Sequence, residues 1–376
     1  GMILSHLSVK FFRNIQESQL DFSPRANLIL GGNGHGKTNL LEAIYVLAIT
    51  KSFRTHQSRD LVHWDSEGFC LAGKVEGQSQ KYWLAIEHSP EARKMLVNNS
   101  PSDLFEYLGL LNVVAFSTTQ VEQFRSSPEI RRRLVDRGLY PLHPAHLKRV
   151  LNYGRLIKQK NSLLREGPSG YNKMRRDLLD SWNIQIADLG ARIIKSRQNY
   201  IDKIADKLTI QRNCFTSDKL TIRYVSSHEI VTTGSLTEIH QQLLRKLFEN
   251  RQGEFRARRA TVGPHRDQIV MEVDGKSMQR FGSAGQQRSS LIAYQLAQME
   301  VHFDLRGEYP VFLMDDVDAE LDEERLNLIL NILESKTQVF ITTNKPGFIR
   351  EQRFGHNQFK TFQVKQGYVS EVAPIQ

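Results

Sequence analysis

A chain of 376 residues with 24% charged and 40% apolar side chains can bury one large core and a second lobe, in the ordinary proportions of a soluble globular protein. Its two cysteines, Cys70 and Cys214, stand far apart with no Cys-x-x-Cys or His-Cys cluster, so neither a disulfide framework nor a zinc site is expected. No apolar run nears the roughly 18–20 residues of a membrane span and no signal-type segment opens the chain. A cytoplasmic protein with no membrane partner is expected, and Gly1 before Met2 reads as a tag remnant.

The net charge of +10 is unevenly spread: residues 121–260 carry +14 and the remainder −4. Clusters such as Arg131-Arg132-Arg133, Lys148-Arg149 and Arg256 with Arg258-Arg259 make up the excess. A solvated helix face normally carries both signs in balance. A one-signed excess predicts a polyanionic partner, and the phosphate backbone of nucleic acid is the commonest.

In chain order, residues 2–9, 17–22 and 27–30 read as strands. The third runs into Gly31-Gly32-Asn33-Gly34-His35-Gly36-Lys37-Thr38, a complete Gly-x4-Gly-Lys-Thr loop, and an apolar stripe at helical spacing follows from Asn39. Strand, glycine loop and helix together make a phosphate-binding site: backbone N–H groups curl around the phosphates and the helix N-terminus adds positive potential. Lys37 is expected on the β- and γ-phosphates of ATP, and the Thr38 hydroxyl on Mg²⁺. Arg13 and Asn14, just after the first strand, are candidates for contacting the nucleotide near its base or sugar.

Residues 69–75, 82–87, 94–97 and 110–116 read as further strands, with Asn98-Asn99 as a tight turn, giving a mixed sheet wrapped around one helix. From about Pro128 the period becomes helical. Long helices are expected over 144–165 and 171–208, broken by Gly167-Pro168-Ser169-Gly170, and another over 236–255. Leu178, Leu179, Trp182, Ile186, Leu189, Ile193 and Ile194 place an apolar stripe on one face, which predicts two long helices packed antiparallel. Residues 268–273 return to strand, and 310–314, 338–342 and 360–364 close the sheet.

Ser283-Ala284-Gly285-Gln286-Gln287-Arg288 opens one more helix. One nucleotide does not need two anion-binding helix termini from one subunit. Ser283, Gly285 and Gln286 are therefore read as covering the γ-phosphate held by a partner, which requires a two-fold homodimer; an ordinary N-capped helix is the alternative. The run Pro310 to Met314 ends in Asp315-Asp316, acids at the carboxyl end of a buried strand, where ligands collect in open α/β sheets. Asp315 is expected to hold Mg²⁺, and Asp316 to be the catalytic residue that orients the attacking water, alongside Lys37.

The ordered series of segments resembles the RecF family of ABC/SMC-type ATPases. It comprises Phe12-Arg13-Asn14, the run Gly36 to Tyr45, Lys51-Ser52-Phe53-Arg54-Thr55, Ser127 to Arg132, Gly263-Pro264-His265-Arg266-Asp267, Ser283 to Gln287 and Asp315 to Asp322. The resemblance implies an α/β fold: an ABC-type ATPase head (P-loop NTPase) from residues 2–120 and 261–376, with residues 121–260 as a basic, mainly helical inserted lobe. It makes Asp318 to Asp322 a D-loop crossing the dimer interface. It also puts Thr343 at the switch position, where transporter-type relatives carry histidine. Two departures stand out: Thr118-Thr119-Gln120-Val121 replaces the usual Pro-Glu-Asp-Leu, leaving Gln120 as the Q-loop candidate, and Ala319 replaces a common serine. The family implies an ATP-driven homodimer at single-strand/double-strand junctions of gapped DNA, with weak, DNA-stimulated hydrolysis. RecR, RecO and RecA are the implied partners, in repair, replication restart and the SOS response. The alternatives are the ATPase subunit of a membrane transporter and a DNA-end-processing ATPase.

Overall fold

The computed structural model describes residues 1–215, 219–345, 347, 349 and 358–373, without the side chains of 210–215, 281 and 320. Fifteen strands form among them. β1 (Ile3–Phe12), β2 (Ile15–Asp21) and β3 (Ala26–Leu30) precede the glycine loop. β4 (Phe69–Glu76), β5 (Lys81–His88), β6 (Arg93–Val97), β7 (Ser100–Ser102) and β8 (Val113–Phe116) follow it. β9 (Leu220–Val225), β10 (Gln268–Val273) and β11 (Lys276–Ser277) stand mid-chain. β12 (Val311–Met314), β13 (Val339–Thr343), β14 (Phe359–Lys365) and β15 (Tyr368–Val372) come last.

The chain divides into two units, residues 1–122 with 288–376, and residues 123–287. The first holds two six-stranded sheets in place of the single mixed sheet expected. One is antiparallel, in the order β2-β1-β4-β5-β6-β7; the other runs β15-β14-β3-β13-β12-β8 and is parallel except for β15. Strand β4 shows the half-buried alternation of an antiparallel sheet with one wet face, whereas β12 and β13 are apolar-rich and buried throughout, as parallel strands covered on both faces must be. The helix Lys37–Ile49 touches strands of both sheets and is apolar nearly all round, the signature of a core helix. Leu40, Ile44 and Leu47 share one core with Leu4 and Val9 of one sheet and Ile29 and Phe340 of the other.

In the second unit the helices Pro144–Leu164 and Lys173–Phe215 run antiparallel: Lys160 meets Asn183, and further back along the first helix Tyr153 lies beside Gly190. The expected apolar stripe is largely buried, with Leu179, Ile186, Ile193 and Ile194 inaccessible, but Leu178 is 43% exposed. The helix expected over 236–255 breaks at Asn250 into Leu236–Glu249 and Arg251–Ala257. Its start carries a reciprocal capping box between Ser235 and Glu238.

The boundary expected at 260/261 falls instead between 287 and 288. The reason is register: β10 pairs along its whole length with β9, a strand whose alternation the helical reading passed over, and β11 completes that three-stranded sheet. The Gly263 to Asp267 segment locks the same unit. Pro264 C=O accepts from Arg197, and Asp267 accepts from the Tyr224 hydroxyl at 2.6 Å and from Ser227. The Tyr153 hydroxyl donates to His265 Nδ1 at 2.7 Å while His265 Nε2 donates to Ala260 C=O, and burial pushes the imidazole down to about 4.

Candidate nucleotide site

Strand β3 is central in its sheet, between β14 and β13, so the glycine loop leaves from the carboxyl edge of parallel strands. Gly31, Gly32, Asn33, Gly34 and His35 form the curl, and Gly36 turns it into the helix with φ of 107°. A Cβ on Gly36 would stand 2.5 Å from Asn14 Oδ1, so the loop requires glycine there on both counts.

Lys37 is 5% exposed and its Nζ donates to Asn344 Oδ1 at 2.6 Å, with Asp316 Oδ1 3.6 Å away. The Thr38 hydroxyl lies 3.0 Å from both oxygens of Asp315. Asp315 also accepts from the Thr342 hydroxyl at 2.6 Å, and Thr342 Oγ1 in turn accepts from Asp316 N–H. Burial pushes the Asp315 carboxyl above its usual range; the Thr342 and Thr38 hydroxyls offset this in part, and Asp316 beside it adds to the rise. Residues that follow β3 and β12 and that close or follow β13, up to 307 positions apart in sequence, thus meet at one strand edge.

The donor set fits a hard divalent cation. A hydroxyl and a carboxylate face one another. Asp316 Oδ1, on the next residue, is a buried acceptor without a hydrogen-bond partner. Asp316 holds a left-handed backbone at φ 54°, a conformation that costs a non-glycine residue free energy and recurs at functional sites. Thr38 and Asp315 would hold Mg²⁺, which would supply charge neutralisation on the phosphates.

Other assignments change. Arg13, expected beside the base or sugar, forks onto Glu42 with two bonds of 2.9 Å. Arg54 and Ser52 complete the shell of that fully buried carboxylate on the loop helix. Asn14 does reach the loop, but through its protein frame: its Nδ2 donates to His35 C=O at 3.2 Å and its Oδ1 accepts from Asn39, whose own Oδ1 accepts from Arg54. Thr343 at the expected switch position is fully buried, and Asn344 one residue on is the side chain that meets Lys37 and Asn33. The β14–β15 turn supplies a brace that sequence reasoning missed: Gln366 N–H donates to His35 Nδ1 and Gly367 N–H to His35 C=O. Ser283 and Gln286 exchange side-chain bonds with each other's backbone N–H at 2.9 and 3.1 Å, a Ser-x-x-Gln capping box opening Ala284–Arg306, with Gly285 in its first turn.

The profile described as the RecF/RecN/SMC N terminal domain matches residues 3–370. The DNA replication and repair protein RecF of Enterococcus faecalis is 36% identical over 93% of this chain and 94% of its own, and that of Bacillus cereus 32% identical over 98% of each. The solved structure of the recombination mediator protein RecF with ATP superposes at a TM-score of 0.90, with 29% identity over 99% of this chain and 98% of that one. The Smc head domain of Pyrococcus furiosus, 13% identical over 99% and 96% of the two chains, gives 0.55 and shares the fold. The chain belongs to the RecF family of DNA replication and repair proteins.

Proposed function

We propose that this chain is an ATP-driven, DNA-binding homodimer that closes on ATP and reopens on hydrolysis. The supporting observation is the convergence of Lys37, Thr38, Asp315 and Asp316 at one strand edge. Lys37 and the loop amides hold the phosphates, Thr38 and Asp315 hold Mg²⁺, and Asp316 orients the attacking water. Ser283, Gly285 and Gln286 complete the partner's site, with Asp318 to Asp322 at the interface between subunits. The family's work at single-strand/double-strand junctions of gapped DNA, with weak DNA-stimulated turnover, is assigned to this chain. So is its partnership with RecR and RecO in loading RecA, supporting replication restart and the SOS response.

Sedimentation with and without ATP and gapped DNA tests the reading. The parent should dimerise on ATP and carry gapped DNA with it. Lys37→Ala should lose nucleotide binding by two orders of magnitude or more, since amides alone cannot neutralise the β- and γ-phosphates. Ser283→Arg should bind ATP as a monomer and fail to dimerise. Near-normal ATP affinity in the first variant, or normal dimerisation in the second, would overturn the corresponding part.

A further inference from the structure

Several basic residues of the second unit are engaged within the protein. Arg131 is 8% exposed and donates to Phe124 C=O, Arg132 donates to Asp267 C=O, and Arg197 forks onto Asp136. Lys160 is fully buried against Glu254 at 2.6 Å. Arg133, Arg192 and Arg245 pair with acids one turn away on their own helices.

Apart from Lys160, residues 144–165 are different. That stretch contains no aspartate or glutamate. Lys148, Leu151, Arg155, Lys158, Ser162 and Arg165 recur at alternating steps of three and four, which puts them on one face of the helix, and all six are exposed. Among the described residues none of the four cations lies in an ion pair. The Arg258 guanidinium lies over Gly167 in the turn that follows and carries the positive surface past the helix end.

We infer that this face is a phosphate-tracking surface for duplex DNA, an assignment that rests on the DNA-binding reading above. Lys148 to Arg165 spans about 25 Å of rigid helix. A straight row of cations over that length suits a stiff duplex. A single strand would call for aromatic side chains to stack its bases, and the row carries none. Without base-reading groups, the surface positions the duplex and reads no sequence.

The test is duplex binding by fluorescence anisotropy across a salt series, with Lys148→Ala, Arg155→Ala and Lys158→Ala combined. Alanine preserves the helix. The log–log salt slope should become shallower by about three. Between 50 and 200 mM salt the combined variant should therefore lose roughly 40-fold less affinity than the parent. Arg133→Ala, Arg192→Ala and Arg245→Ala combined should bind like the parent, and so should the charge-keeping set Lys148→Arg, Arg155→Lys and Lys158→Arg. If the alanine variant matches the parent in slope, the stripe assignment fails while DNA binding stands. If the parent shows no salt-dependent DNA binding, the underlying reading fails. Loss of single-strand binding with duplex binding intact, or loss of binding to vesicles of acidic lipid alone, would also overturn the assignment.

Discussion

Asp315 and Asp136 are both aspartates less than a tenth exposed, one in each unit, and their environments drive them in opposite directions. Burial raises Asp315; its direct hydrogen-bond partners are hydroxyls, and these and the Lys37 charge offset the rise only in part. Burial acts on Asp136 too, but the Arg197 guanidinium outweighs it, with His146 assisting, and holds the carboxyl well below the usual range. A carboxylate fixed for structure is given a permanent cation. Asp315, which we propose holds Mg²⁺, has no cation forked onto it, so burial keeps its carboxyl raised.

Removing the permanent pairing should have the largest effect. Asp136→Ala leaves Arg197 buried and unpaired, and should cost about 3–5 kcal/mol of stability. Denaturant unfolding would check this, with ATP affinity of the remaining folded protein as the contrast; a loss below 1 kcal/mol would break the comparison. Asp316→Asn should bind ATP and dimerise normally while turnover falls at least 100-fold, the usual scale for a lost proton-handling group. Steady-state hydrolysis beside equilibrium ATP titration separates the two, and unchanged turnover would remove Asp316 from the mechanism.

Gly367→Ala probes the brace. An added Cβ would stand 2.0 Å from Asn14 C=O at a φ of 81°, so the turn must withdraw from His35. ATP affinity should fall about tenfold, near 1.4 kcal/mol, read by calorimetry; an unchanged value would mean that the loop holds its curl without the hairpin. The smallest effect is on pH. Because the Asp315 carboxyl is raised, Mg²⁺-dependent ATP affinity should begin to weaken above the ordinary carboxylate range, by roughly threefold as pH falls toward it. Asp136 contributes with the opposite sign. Its stabilisation is full above the unfolded value of about 3.9 and is lost as pH falls through the depressed folded value. Asp315→Asn should remove the first dependence and leave the second.

Much of this site was legible in the sequence because its parts are contiguous. The run Gly31 to Thr38 and the pair Asp315-Asp316 each carry their chemistry within a few residues, and the flanking apolar runs fixed their strand and helix context. Thr342, Asn344 and the Gln366-Gly367 turn were missed for the converse reason: each acts through bonds to partners distant in sequence, and neither spacing nor composition records such a pairing. Glu42 sat inside a quoted motif, yet only the fold shows that it captures Arg13. The basic stretch was read correctly for its excess charge and too broadly for its members, since burial separates Arg131 from Arg155 and charge counting cannot. Strand β9 was lost among long helices, and the unit boundary was misplaced with it.

The order of strands in the parallel sheet has a consequence for how this protein is made. The strand that launches the phosphate loop ends at Leu30, and both of its neighbours, β13 and β14, lie beyond residue 338. At elongation rates of about 5–20 residues per second, that strand waits on the order of tens of seconds after emerging before either flank exists. The middle unit, contiguous from 123 to 287, meets no such delay. The nascent chain therefore carries an unpaired, apolar Ala-Asn-Leu-Ile-Leu edge through most of its synthesis, and any slowing of translation late in the message prolongs its exposure to aggregation.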